Sequence, residues 1–153
     1  MTIFVCSLLA ITVFVTDLLV KNYIERTGND GEEKMLLGGR LILRKYHNKG
    51  AFLNVGQRKR GVMAILSLVL TLGATVAFLA TFTCRGNGML KIGLAFLLGG
   101  AYSNTYDRLM RKYVVDYVSF PVKNKKIRNI VFNISDFCIT IGALLMTIGS
   151  ADK

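Results

Sequence analysis

Four apolar runs, over residues 3–20, 62–83, 89–106 and 130–148, alternate with polar intervals along the chain. Crossing the ~30 Å hydrocarbon core of a bilayer takes roughly 17 to 25 mostly apolar residues per helix, and each run approaches or meets that length. The pattern predicts an all-α membrane protein with four transmembrane helices, forming one integral membrane domain over residues 1–153. The run 3–20 has neither a basic leading region nor a small-residue cleavage site, and it carries Asp17, so it reads as a retained first span rather than a removable leader. In the long polar interval, Gly38-Gly39 predicts a turn and the partly alternating RLILRKY predicts a short strand or hairpin. From Lys112 onward the period changes again. VVDYVSF is β-rich and puts Val114, Asp116 and Val118 on one side, with Val115, Tyr117 and Ser119 on the other. A small extramembrane β element in the long loops is therefore expected beside the helices.

Composition narrows the class. The chain is 52% hydrophobic with a mean hydropathy of +0.45, more apolar than an ordinary soluble domain. Its net charge of +11 raises nucleic-acid binding as an option. However, Lys and Arg crowd residues 21–60 and 108–128, next to the spans, where anionic lipid headgroups are the nearer partner. No nucleic-acid partner is expected. Cys6, Cys84 and Cys138 are scattered without metal-like spacing and read as free, inert thiols. His47 is the only histidine and reads as an exposed loop residue, so no metal site is expected.

The candidate chemistry is carried by polar residues at the ends of the spans. Asn104, Asp107 and Arg108 are three and four apart and share one helical face. Ionisable groups at membrane depth are costly and by default mark a site. Asn133 and Asp136 form a second cluster at the opening of the last run; on its own this pair fits a helix N-cap with an acid in the first turn. Asp116 and Asp136 thus lie at the mouths of neighbouring segments, where they can face each other. Asp116 shares its strand face with valines, which disfavours its charged form and raises its pKa. Asp17 and Lys21, four apart, read as an interfacial ion pair that anchors the first helix while Lys21 reaches outward. Asn48, Gly50, Ala51 and Phe52 lead into the second span; the glycine allows a tight turn or close approach to a ligand, and local pattern favours an ordinary loop. Gly99, Gly100 and Ser103 form a small-residue patch suited to close helix packing.

Taken together, these blocks resemble the lipoprotein signal peptidase family, signal peptidase II, a bacterial aspartyl protease. Asp17 with Lys21 resembles its first-helix motif, with Leu18 where Gln is usual. Asn48, Gly50 and Ala51 resemble its Asn-x-Gly-Ala block. Asn104, Asp107 and Arg108 match Asn-x-x-Asp-Arg, Asp116 matches the Asp of Val-Val-Asp-Phe with Tyr117 in place of Phe, and Asn133 with Asp136 matches Asn-x-Ala-Asp with Ser135 in place of Ala. The resemblance implies that Asp116 and Asp136 are a catalytic dyad and that Asn48, Arg108 and Asn133 bind substrate. Asp17, Lys21, Gly50, Asn104 and Asp107 are then supporting residues, with Asn104 and Asp107 fixing Arg108 and the helix end. It implies no cofactor. The substrate it implies is the signal peptide of a lipid-modified prolipoprotein, cut before its diacylglyceryl-cysteine, and the inhibitor it implies is the lipopeptide globomycin, lodged between the two Asp residues. The other readings are a non-enzymatic proton or ion carrier, in which the same Asp residues bind cations, and an inactive family member acting as a binding module.

The resemblance also implies a monomer in contact with membrane lipids, crossing the bacterial inner or plasma membrane several times with its site toward the extracytoplasmic face. The positive-inside rule points the other way, since it would place the two basic loops in the cytoplasm. The family architecture is preferred here, because binding of headgroups or substrate also recruits basic residues to an outer loop.

Overall fold

The computed structural model describes residues 2–29, 31–50, 59–83 and 86–151. Ala51, Phe52 and Cys84 lie outside the described residues. The order is α1 (Ile3–Thr27), β1 (Glu33–Leu36), β2 (Leu41–Asn48), α2 (Arg60–Ala80), α3 (Gly88–Met110), β3 (Val114–Ser119), a one-turn α4 (Lys125–Arg128) and α5 (Ile134–Ala151). Four long helices and a three-stranded antiparallel sheet in the order β1-β2-β3 make up the fold.

Among the described residues, α1 and α2 are the helices long and apolar enough to cross a membrane. The helix α3 spans 23 residues but carries Lys91, Asn104, Asp107 and Arg108, and α5 is apolar over a shorter length. The helix surfaces show what the bundle meets. On α2, only Ala64, Thr71 and Phe78 are buried, seven residues apart, while Ile65, Val69, Leu72, Val76 and others lie exposed. A helix apolar on both its packed and its outer face is suited to lipid rather than water.

The central element is α3, which packs most extensively on α5 and then on α1 and α2. Its small residues are the reason. A Cβ on Gly93 would fall 2.7 Å from the Gly142 carbonyl oxygen of α5, one on Gly99 would fall 2.6 Å from the Ala10 oxygen of α1, and one on Gly100 would fall 2.6 Å from the Ser135 oxygen. The small-residue patch therefore serves two helix contacts rather than one.

On α1, the buried residues Cys6, Val13, Asp17, Lys21 and Ile24 fall on a single stripe facing α3, β3 and α5. Lys21 is fully buried, and this corrects the expectation that it reaches outward. The helix continues to Thr27, so position 21 lies inside the packed stripe, with Asp17 and three groups of α3 within reach of its ammonium.

The sheet caps one end of the bundle. The β1–β2 hairpin turns through Leu37–Gly39, where Gly38 and Gly39 take positive φ of 64° and 85°. β2 pairs with β3 so that Asn48 lies opposite Val114 and Tyr46 opposite Asp116. A bridge between Val118 and Phe132 continues the pairing into the chain that enters α5, which is why the last helix starts at Ile134 rather than at the beginning of its apolar run. His47 is not an exposed loop residue: it sits half-buried in β2, 2.7 Å from a Glu25 carboxylate oxygen and 4.1 Å from the Tyr113 ring. Cys6 and Cys138 are free, buried thiols.

Candidate active site

Three segments bring carboxylates and amides together where the sheet meets the bundle. β3 turns Asp116 inward, and the first turn of α5 presents Asp136. Asn133 joins the two. Its side-chain N–H donates to Asp116 Oδ1 at 2.7 Å, while its backbone N–H donates to Asp136 Oδ2 at 3.1 Å. Its own Oδ1 accepts the Asp136 backbone N–H at 2.9 Å, which completes a reciprocal cap on α5. The capping role and the site role coexist because they use different atoms: Asp136 keeps Oδ1 for the side-chain N–H of Asn104 at 3.1 Å.

Asn48, at the end of β2, donates to Asp116 Oδ2 at 3.1 Å, and its Oδ1 accepts the Gly50 backbone N–H at 3.1 Å. Both carboxylates, together with Asn48, Asn104, Arg108 and Tyr46, line one cleft of about 300 Å³. The Arg108 guanidinium makes two long contacts, to the carbonyl oxygens of Asn104 at 3.4 Å and Gly50 at 3.5 Å. Asn104, Arg108 and Asp136 also line a second, mostly apolar groove that runs between α2, α3 and α5 past Leu70, Ala74 and Ile139. A polar cleft holding two carboxylates thus opens sideways onto an apolar channel.

Asp116 is almost wholly buried. Burial foremost, and then the Asp136 carboxylate, push its pKa up to about 7 against the two asparagine donors. The sequence-based expectation of a raised pKa from apolar neighbours holds, with the second carboxylate as an added cause.

Behind the cleft lies a buried charge network centred on Lys21. Its ammonium reaches Asp17 Oδ2 at 2.8 Å, Asn104 Oδ1 at 2.8 Å, Asp107 Oδ2 at 3.1 Å and Ser103 Oγ at 3.1 Å. By taking the Asn104 oxygen, the cation turns the amide N–H₂ of that residue toward Asp136. Asp107 pairs with Lys21 and with Arg111 at 3.3 Å and accepts the Val115 backbone N–H at 3.1 Å. It therefore holds the end of α3, as expected, and the start of β3, but it does not fix Arg108, whose guanidinium turns to the Asn104 and Gly50 carbonyl oxygens. Arg111 also donates to Asn22 of α1.

Ser103, Tyr117 and Ser135 converge on Asp17 and were not among the candidates. Ser103 carried a signal in its position one turn after Gly99; Tyr117 and Ser135 carried one as the two hydroxyls found where Phe and Ala are usual.

Comparisons with known proteins give the family and the fold. A family model described as signal peptidase (SPase) II matches residues 9–151. A lipoprotein signal peptidase of Lactobacillus johnsonii is 33% identical over 142 residues, covering 92% of this chain and 88% of the relative. One from Caldicellulosiruptor bescii is 33% identical over 141 residues, covering 92% and 86%. A solved structure described as a bacterial membrane enzyme shares the fold, with a TM-score of 0.81 at 24% identity over 98% of this chain and 89% of the other.

Proposed function

The chain belongs to the signal peptidase II family, hydrolases that remove signal peptides from prolipoproteins, and from that premise we propose that Asp116 and Asp136 are its catalytic dyad. The observation that carries this assignment is the shared partner: Asn133 donates to both carboxylates, so one residue holds them around a single cleft.

Two neighbouring buried carboxylates cannot both ionise cheaply, and they share one proton near neutral pH. A water placed between them loses a proton to the ionised member as its oxygen bonds to the scissile carbonyl carbon. The protonated member donates to the carbonyl oxygen, giving a neutral tetrahedral diol. Collapse breaks the C–N bond as a proton passes to the departing nitrogen. The signal peptide leaves with a carboxyl end, and the diacylglyceryl-cysteine becomes the new amino terminus. Asn48 and Arg108 line the substrate path: Arg108 has N–H donors to spare for a peptide carbonyl or a lipid headgroup, and Asn48 steadies Asp116. Asn133, expected to bind substrate, is fully buried with its amide held by Asp116, Asn104 and Asp136, so its part is to position the dyad.

The apolar groove beside Asp136 supports sideways entry of a helical signal peptide from lipid. On this reading all four long helices cross the bacterial inner or plasma membrane, with α3 carried by its burial among the other three despite its polar end. The sheet and the basic residues around it face the extracytoplasmic side and its lipid headgroups, and the protein works as a monomer. Impermeant-reagent labelling of a cysteine introduced at Arg40, in a variant lacking the native thiols, tests the orientation: protection in intact cells would reverse it.

The decisive experiment incubates purified protein with a lipid-modified prolipoprotein and reads the products by mass spectrometry. Asp116→Asn and Asp136→Asn should each abolish cleavage, and the double variant should be no worse than either single one, because residues acting as a unit are not additive. Asn133 remains the N-cap of α5 in Asp136→Asn, and the new amide oxygen still accepts the Asn133 backbone N–H, so the variant should stay folded. Cleavage retained by either folded single variant would remove the dyad.

A further inference from the structure

Asp17 takes no part in the proposed reaction, yet the fold surrounds it with donors. Its carboxylate is fully buried. Oδ1 accepts the Tyr117 phenol at 2.9 Å; Oδ2 accepts the Ser103 hydroxyl at 2.6 Å, the Ser135 hydroxyl and the Lys21 ammonium at 2.8 Å. Burial, and then the negative charge of Asp17, push the pKa of the Tyr117 phenol up and keep it a donor.

Two of these donors are immediate sequence neighbours of the proposed dyad. Tyr117 follows Asp116 on β3, where successive side chains point to opposite faces, so one faces the cleft and the other the rear. Ser135 precedes Asp136 in the first turn of α5, where adjacent residues are rotated by about 100°. The Tyr117 oxygen also accepts the Ile134 backbone N–H at 3.1 Å, so the phenol ties β3 directly to the first residue of α5. Both hydroxyls end on the same carboxylate.

We propose that Tyr117 and Ser135 are positioning residues of this chain: meeting on Asp17, they clamp the strand that bears Asp116 to the helical turn that bears Asp136 and so set the spacing of the two carboxylates from behind. The clamp rests on the dyad assignment made above. Neither hydroxyl lines the cleft, so their removal acts on the reacting geometry and not on substrate contacts.

The test measures kcat and KM on a lipid-modified prolipoprotein for Tyr117→Phe, Ser135→Ala and the double variant, with thermal unfolding of each and with Asp116→Asn run in parallel. Because small misplacements of reacting groups are costly, each single variant should lower kcat by roughly three- to tenfold with KM unchanged. The double variant should fall short of the product of the two losses, since both act through one carboxylate. If Tyr117→Phe does not fold, Ser135→Ala decides alone. A kcat within twofold of the parent, or a lowered melting temperature with kcat per folded molecule unchanged, would overturn the clamp while Asp116→Asn stays inactive. Cleavage by Asp116→Asn would instead overturn the dyad.

Discussion

Lys21→Met is the sharpest probe of the fold, because it removes one cation from a site that holds two carboxylates and an amide oxygen within 3.1 Å of it. Taking away one partner of a buried ion pair typically costs about 3 to 5 kcal/mol, since the remaining charge is left unpaired in a poor solvent. Two opposing details bear on the size. The lysine serves Asp17 and Asp107 at once, which raises the cost. Asp17 retains three hydroxyl donors, and Asp107 retains Arg111 and the Val115 N–H, which lowers it. We therefore expect about 4 kcal/mol. At about 2 to 4 °C per kcal/mol for a chain of this length, the melting temperature followed by circular dichroism in detergent should drop by about 8 to 16 °C. Adding Asp17→Asn and Asp107→Asn to Lys21→Met removes the stranded charges and should recover at least half of that drop. The folded fraction of Lys21→Met should also cleave more slowly, because the Asn104 amide that faces Asp136 loses the cation that orients it. A drop smaller than about 2 °C would mean that Lys21 is solvated at a membrane boundary and would refute the buried network.

Further outcomes follow from the same geometry. The pKa of Asp116 is raised from 3.8 to about 7, so the folded state holds this proton more tightly than the unfolded chain. Its contribution to stability must then decline as pH rises from about 4 to 7; melting temperatures of parent and Asp116→Asn should separate over that window, the variant gaining, and parallel curves would contradict it. Cleavage by the parent should also fall as pH passes about 7 and the shared proton is lost, which a pH–rate profile reads directly. Gly100→Ala forces a Cβ to 2.6 Å from the Ser135 oxygen and should reduce both stability and rate by pushing α3 off the turn that carries Asp136. Gly73→Ala, with open space around it, should stabilise α2 by roughly 0.5 to 1 kcal/mol through helix propensity alone; equal unfolding shifts in the two variants would count against the packing argument. The resemblance implies inhibition by globomycin, and on that expectation Arg108→Ala and Asn48→Ala should each weaken it by more than roughly tenfold, the worth of one charge-assisted hydrogen bond, measured as a change in inhibition constant on folded enzyme. Unchanged inhibition in both would take these residues out of the cleft.

The sequence by itself determined the elements and pointed to most of the polar residues that line the cleft. Apolar runs of membrane length, the Gly38-Gly39 turn and the alternation of VVDYVSF each report local chemistry, and each appears in the structure as a helix, a hairpin or a strand. The spacing of Asn133 and Asp136 likewise announced a helix cap, because capping is settled within one turn. Which way a polar side chain faces is settled by what packs against it. Asp17 and Lys21 four apart fit a solvated pair as well as a buried one, and only the close approach of α3, permitted by Gly99 and Gly100, encloses them. The resemblance makes Asp107 a support of Arg108, yet it is turned to Lys21, Arg111 and the Val115 N–H by the docking of β3 and α1. The convergence of Ser103, Tyr117 and Ser135 on one carboxylate joins residues up to 118 positions apart. Hydrogen bonds of that range have no period to read along the chain; they exist only once burial has removed water as the competing partner.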